Sequence, residues 1–185
     1  MFSSFLRRFF RVLNRFFMVP MFRLGFGPFF GNPLSGYIMV LRIKGRRTGK
    51  IRYAPVNYAI ANGRVYCIAG WGRTSDWFRN LQADPAIEAI LPGGAIAGLA
   101  EAVTDPTERA PAIRQILKNG GFAGFLGGFN PYRVTDEELG RKTEGMPLVR
   151  IRPTGIGSGA SDPAGWAWVW TAVFILALVL LLWPR

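Results

Sequence analysis

The chain alternates short apolar runs with glycine- and proline-containing turns over residues 35–152, a pattern typical of β-strands. The runs cover residues 37–44, 51–61, 64–70, 86–91, 95–103 and 147–152. Asn62-Gly63 and Pro92-Gly93-Gly94 separate neighbouring runs in the way that tight hairpin turns do. The pattern predicts a small α+β barrel of about six mostly antiparallel strands.

Two segments of this domain have helical spacing instead. Residues 74–83 begin at a Thr-Ser pair that can cap a helix, and they end before Asp84-Pro85. Residues 105–118 begin with Asp-Pro-Thr-Glu, a capping box with proline at the first helical position. We therefore expect two or three helices inserted between the strands.

Residues 2–17 have an amphipathic pattern of helical period. One face carries Phe2, Phe5, Leu6, Phe9, Leu13, Phe16 and Phe17, and the other carries Ser3, Ser4, Arg7, Arg8, Arg11, Asn14 and Arg15. A cationic face opposite a phenylalanine face predicts a helix that lies on anionic membrane lipid. The alternative is a helix that packs on the protein's own core.

Residues 166–183 contain no charged side chain and carry tryptophans at both ends. A run of this length is sufficient for a transmembrane helix. Because Arg150 and Arg152 precede it, the positive-inside rule predicts a tail-anchored protein of the cell membrane with the barrel on the cytoplasmic side. The expected divisions are 1–34 for the basic N-terminal helix and connector, 35–152 for the barrel, 153–165 for a flexible linker and 166–183 for the anchor.

Positive charge is concentrated in the first part of the chain. The whole chain has 23 Lys and Arg residues against 11 Asp and Glu residues. Residues 1–75 hold 13 of the basic residues and none of the acidic ones. This asymmetry predicts an anionic partner.

Reactive side chains are few. The chain has no histidine, and its single cysteine, Cys67, lies in an apolar run typical of a core. Histidine-dependent catalysis and histidine metal sites are excluded, and one thiol can build neither an internal disulfide nor a zinc site. If the protein is an enzyme, a bound cofactor is expected to supply the reactive group.

Six cations and no acid lie in the stretch RIKGRRTGKIR, residues 42–52. The stretch is not a Walker phosphate loop, because three residues rather than four separate Gly45 from Gly49. Three interpretations stay open: a nucleic-acid or lipid patch, a solvated hairpin tip, and a pocket for the phosphate or carboxylate tail of a cofactor. No aromatic residues interleave with the cations, which argues against nucleic acid.

Further motifs surround this stretch. They are Gly45-Arg46-Arg47-Thr48-Gly49, Arg52, Pro55, Ala69-Gly70-Trp71-Gly72, Trp77-Phe78-Arg79-Asn80-Leu81 and Asp84-Pro85. Together they resemble the deazaflavin (coenzyme F420)-dependent nitroreductase and quinone reductase family over about residues 35–152. The resemblance implies a split β-barrel of the FMN-binding type and coenzyme F420 as the cofactor, with FMN as the less favoured alternative.

The resemblance also implies which residues contact the cofactor. The phosphate would bind Arg47, Thr48 and Arg52, and the ring would lie on Pro55, Val56, Ala69 and Gly70. Other implied cofactor residues are Arg46, Gly49, Lys50, Trp71, Trp77 and Asn80, and Arg42 and Lys44 join Arg46 as candidates for the anionic tail. For Trp77, packing of its helix on the barrel is the alternative.

The region after the second helix departs from the family. Residues 119–129, NGGFAGFLGGF, carry phenylalanines where the family's nitroreductase has tyrosines. The predicted substrate pocket consists of Phe122, Phe125, Phe129 and Tyr132, and no side chain is assigned to catalysis. Such an apolar wall favours a quinone-like or other lipophilic acceptor, with a separate dehydrogenase to reduce the cofactor. The alternative is a non-catalytic lipid- or cofactor-binding protein on the same barrel, and no nucleic-acid partner is expected.

Overall fold

The computed structural model describes residues 2–32, 36–125, 130–157 and 167–183. Within these ranges the strands are β1 (Ile38–Lys44), β2 (Ile51–Ala61), β3 (Arg64–Ile68), β4 (Ala86–Leu91), β5 (Gly94–Val103) and β6 (Leu148–Ile156). They close into a barrel in the order β1-β2-β3-β6-β5-β4, and each neighbouring pair is antiparallel. This arrangement confirms the predicted α+β split β-barrel.

The interior of the barrel is apolar. Because side chains alternate across a strand, Met39, Leu41 and Ile43 of β1 share the inner face, where they are almost completely buried. Cys67 of β3 lies in the same core, and burial raises the pKa of its thiol to about 12. The thiol is therefore a core group and not a nucleophile, as the sequence indicates.

The N-terminal segment lies against the outside of the barrel. It consists of α1 (Phe2–Leu13), a π-helical turn (Asn14–Met18) and α2 (Val19–Arg23). Met18 and Phe22 are buried against Val40 of β1. Phe9 and Phe16 are exposed. The buried residues Met18 and Phe22 follow the predicted helix of residues 2–17, whereas Phe9 and Phe16 within that stretch face solvent.

Three more helices cover or connect the strands. They are α3 (Asp76–Ala83), α4 (Pro106–Lys118) and α5 (Asp136–Lys142). The cap of α4 is confirmed, because Asp105 Oδ1 accepts a hydrogen bond from Thr107 N at 2.9 Å. α4 and α5 pack over the outer face of β2 and β3 in a second buried cluster. The apolar periodicity gives no sign of α5, because Leu139 is its one buried side chain.

β6 extends further than the apolar pattern predicts. Its last residues pair with the first half of β5, from Gly98↔Pro153 to Ile96↔Ile156, with an irregularity between Ala97 and Gly98. The predicted start of a linker at residue 153 is therefore wrong, because backbone pairing continues where apolar side chains have ended. Residues 158–165 of the predicted linker lie outside the described residues.

The C-terminal helix, α6, spans Ala167–Leu182, and residue 166 of the predicted span lies outside the described residues. Among the described residues, no helix combines the length and hydropathy needed to cross a membrane. The predicted transmembrane helix at 166–183 is therefore not supported. The side chains of residues 172–183 are exposed.

A charged network lies outside β3 and β6. Tyr66 Oη donates a hydrogen bond to Glu108 Oε1 at 2.7 Å. Arg150 Nη1 donates to both oxygens of the same carboxylate, at 3.0 and 2.9 Å. The hydrogen bond from Tyr66, assisted by Arg150, holds the pKa of Glu108 below its ordinary value.

Acid is expected to weaken the fold partly through Glu108. A carboxyl group with a lowered folded-state pKa stabilises the fold above its unfolded pKa, and this contribution is lost as pH falls through the folded pKa. We expect the Tm of Glu108→Gln to fall less than that of the wild type between about pH 6 and about pH 3. Thermal unfolding across this range measures the difference, with the exposed Glu144→Gln as a control that follows the wild type. Equal acid sensitivity of Glu108→Gln and the wild type would contradict the prediction.

Candidate functional site

The basic hairpin, residues 42–52, joins β1 to β2 at one end of the barrel. Its turn closes through hydrogen bonds from Gly45 N to Lys50 O (2.9 Å) and from Gly49 N to Gly45 O (2.8 Å). Gly49 has φ +67°, a left-handed conformation that favours glycine. The hairpin tip, residues 47–50, is exposed to solvent.

The cations of the hairpin fall into two groups. Arg42 forms an ion pair with Glu88 of β4, and that hydrogen bond raises the pKa of the guanidinium. Arg46 Nη2 lies 3.0 Å from Asp76 Oδ1 of α3. Two of the three cations predicted for the cofactor tail are thus paired within the protein. No ion pair with a described carboxylate is found for Lys44, Arg47, Lys50 and Arg52.

A second set of contacts fixes the hairpin to α3. Asn80 is buried, and its Oδ1 accepts hydrogen bonds from Arg46 N (3.2 Å) and Arg46 Nη1 (2.9 Å). Trp77 is half-buried and packs against the barrel core, as the alternative interpretation of this residue expects. Asn80 therefore positions the start of the hairpin, and a direct contact of Trp77 or Asn80 with cofactor stays a prediction.

The four residues predicted for the ring separate into two pairs. Pairing between β2 and β3 runs from Tyr58↔Cys67 to Ala61↔Arg64, so Pro55 and Val56 lie before this ladder and Ala69 and Gly70 follow the end of β3. Ala69 and Val56 belong to the barrel core. Pro55 is on the other face of β2, and Gly70 is exposed with open space where a Cβ would stand. Gly70 thus offers open surface, whereas Pro55 is half-buried and pairs with Val40, which the N-terminal segment covers.

The predicted substrate residues form an exposed aromatic group. The rings of Phe125 and Tyr132 stack with centroids 6.4 Å apart, and Lys118 Nζ lies 5.6 Å from the Tyr132 ring centroid. Phe122 is exposed as well. Phe129 lies outside the described residues. The structure therefore brings together two of the four predicted residues, Phe125 and Tyr132, and adds Lys118 to them.

This aromatic group is distant from the hairpin tip along β2. The segment that carries it begins at Asn119, whose Nδ2 donates a hydrogen bond to Tyr58 O at 3.0 Å. Tyr58 follows Ile51 by seven residues, which is about 23 Å of strand. A single ligand that contacts both the hairpin tip and the aromatic group must therefore be elongated.

The start of α3 differs from the sequence prediction in one residue and adds another. Ser75, one of the two predicted caps, is the N-cap residue but makes no capping hydrogen bond with its side chain, and its buried Oγ has no hydrogen-bond partner among the residues that the structure describes. Asp76 pairs with Arg46. Two features of the sequence could have drawn attention to Asp76: it is the first acidic residue of the chain, and it stands about one helical turn before Asn80.

The donors at the hairpin tip fit a cofactor that carries a phosphate. Arg47 and Arg52 supply guanidinium groups that can fork onto phosphate oxygens. Thr48 Oγ1 accepts from Lys50 N at 3.4 Å, so its own hydrogen is available for an anion. A Cβ at Gly45 would lie 3.0 Å from Lys50 O, and the glycine thus permits the close backbone approach that closes the turn.

Several solved structures are similar to this chain. A conserved hypothetical protein from Mycobacterium tuberculosis has 18% identity, covers 65% of this chain and 74% of its own, and gives a TM-score of 0.47. An F420 reductase has 18% identity, coverage of 69% and 92%, and a TM-score of 0.44. An F420-H2 dependent reductase (FDR-A) has 18% identity, coverage of 62% and 93%, and a TM-score of 0.42.

A comparison with curated proteins gave no match. The model of the F420H(2)-dependent quinone reductase family matches residues 19–120, which is more than half of the chain. The matched region contains the basic hairpin, the turn after β3 and α3, and it ends just before the aromatic group. The chain therefore belongs to the F420H(2)-dependent quinone reductase family, as a deazaflavin-dependent oxidoreductase with coenzyme F420 as its cofactor.

Proposed function

We propose that this oxidoreductase passes a hydride from reduced coenzyme F420 to a quinone-like or other lipophilic acceptor at a membrane surface. The observation that carries the cofactor placement is the exposed hairpin tip, where Arg47, Lys50 and nearby Arg52 have no ion pair with a described carboxylate. Clustered cations repel one another, so an anion bound between them lowers the free energy of the hairpin. The cofactor phosphate is the anion that we assign to this place.

The ring is assigned to Pro55 of β2 and Gly70 of the turn after β3. Pro55 carries an apolar ring and Gly70 has no side chain, so neither places a polar side-chain group against a planar ring. When bound, coenzyme F420 supplies the hydride chemistry. The protein's contribution is to hold the phosphate at Arg47 and Arg52 and so fix the orientation of the ring.

The aromatic group is assigned to the acceptor. Phe122 and Phe125 present apolar rings, and Tyr132 supplies a hydroxyl whose contact with Lys118 O is long, at 3.5 Å. A surface of this kind favours an apolar, planar molecule over a charged one. A quinone has that chemistry.

Membrane lipid is the proposed partner of α1. Its exposed side chains include Phe9 together with Arg8 and Arg11, and Arg15 and Phe16 follow in the π-helical turn. Arginines attract anionic headgroups, and phenylalanines gain from leaving water. The apolar side chains of α6 are exposed as well, and they too gain from contact with an apolar surface. The position of the barrel on the cytoplasmic side and the separate cofactor-reducing dehydrogenase stay predictions.

The test is oxidation of reduced coenzyme F420 by the full-length protein with matched acceptors. We expect kcat/KM for a quinone with an isoprenoid tail to exceed that for the same quinone without it by about tenfold in anionic vesicles. Neutral vesicles should reduce this advantage. Faster oxidation by a water-soluble nitro compound would overturn the acceptor assignment. Oxidation that needs no acceptor would overturn the proposed reaction.

A further inference from the structure

An acidic residue lies at the base of the basic hairpin. Asp76 is the first residue of α3, and no acidic residue precedes it in the chain. Its Oδ1 accepts a hydrogen bond from Arg46 Nη2 at 3.0 Å, and its backbone oxygen lies 3.3 Å from Arg46 Nη1. The Asp76 side chain is 83% exposed, so this ion pair is open to exchange with an anion from solution.

The same place has the donors that an anion needs. The first turn of a helix presents backbone N–H groups without intrahelical acceptors, and the helix dipole favours negative charge there. Ser75, the residue before α3, makes no capping hydrogen bond with its side chain. Ser75 is 5% exposed. Its Oγ has no hydrogen-bond partner among the described residues. The anion that lies next to these donors in the structure is the carboxylate of Asp76.

We propose that Asp76 competes with an anionic group of the cofactor for Arg46 and the N-terminus of α3, and thereby limits the affinity for coenzyme F420. This inference rests on the proposed binding of the cofactor at the hairpin. The competing group is a phosphate or a carboxylate oxygen, and coenzyme F420 contains both. Displacement of Asp76 moves a side chain that is already largely exposed into solvent.

The experiment is a fluorescence titration of the full-length wild type and Asp76→Asn with two ligands. One ligand is coenzyme F420 with its polyglutamate tail, and the other is the same molecule without glutamates. We expect Asp76→Asn to bind the tailed cofactor about three- to tenfold more tightly at low salt, because one negative charge near the bound anion is removed. A gain restricted to the tailed ligand assigns the place to the glutamate carboxylates, and an equal gain for both assigns it to the phosphate-bearing part that the two ligands share.

The chain offers a matched control in Asp136→Asn. Asp136 is likewise the first residue of a short helix, α5, is 76% exposed and pairs with an arginine, Arg114, at 2.6 Å. This substitution should leave both affinities unchanged. In an Arg46→Ala background, the gain from Asp76→Asn should fall below twofold, because the shared partner is absent.

The outcomes separate this inference from the proposed function. If the wild type binds the cofactor and loses it in Arg47→Ala/Arg52→Ala, the hairpin is the cofactor site. Unchanged or weaker binding by Asp76→Asn would then overturn only the competition. If the wild type binds neither ligand, the proposed cofactor site is overturned and the competition with it.

Discussion

Replacing Arg47 and Arg52 together with alanine is expected to weaken binding of coenzyme F420 about 30- to 100-fold. Each guanidinium that bonds to a phosphate contributes about 1.5–3 kcal/mol, and solvent screening at this exposed tip reduces the sum to about 2–3 kcal/mol. Neither arginine forms an ion pair with a described carboxylate, so the fold loses little. A fluorescence titration gives the affinity, and thermal unfolding checks that the barrel is intact.

The control for this double variant is Arg133→Ala/Arg141→Ala, which removes the same charge from two other exposed positions. If net charge alone attracted the cofactor, both double variants would weaken binding equally, and the hairpin assignment would fail. Added salt should weaken binding by the wild type more than binding by Arg47→Ala/Arg52→Ala, because fewer ionic contacts remain in the variant.

The strands were predictable because their signals are local. Residues 51–61 and 86–91 are strands with the boundaries that their apolar runs predict. Asn62 occupies a positive φ of 51° and Gly63 one of 70°, as the Asn-Gly hairpin signal requires. Each of these features is encoded within a few neighbouring residues, and packing in the barrel reinforces the local preference.

The missed features depend on pairing across the fold. Residues 153–156 carry few apolar side chains, and they belong to β6 because the backbone of β5 lies beside them. α5 has a single buried residue, so no helical period is visible in its sequence.

In the candidate site too, features encoded by neighbouring residues were predictable, and contacts between residues distant in sequence were not. The sequence indicates a glycine-closed basic turn, and the structure contains one. It cannot show that Arg42 pairs with Glu88, 46 residues away, or that Arg46 reaches Asp76 and Asn80, 30 and 34 residues away. The charge pattern alone therefore does not separate the six cations, whereas the fold engages Arg42 and Arg46 in ion pairs and leaves the others without an ion pair to a described carboxylate.

The contact between Arg46 and Asn80 gives the second large prediction. Asn80→Ala is expected to destabilise the protein by about 2 kcal/mol, because Arg46 N loses its acceptor and a buried amide is replaced by a smaller side chain. For a chain of this length, that is a fall in Tm of about 4–8 °C. Cofactor affinity should fall about tenfold as well, because the hairpin is no longer held against α3.

Asn80→Asp separates the two roles of this side chain. A carboxylate at this position still accepts from Arg46 N and Arg46 Nη1, so we expect thermal stability within about 2 °C of the wild type. The added negative charge lies beside the place assigned to the anionic cofactor, and affinity should therefore still fall by about tenfold. A variant that kept both stability and affinity would show that the cofactor binds away from α3. Loss of stability in Asn80→Asp equal to that in Asn80→Ala would show that the two hydrogen bonds from Arg46 do not hold the hairpin.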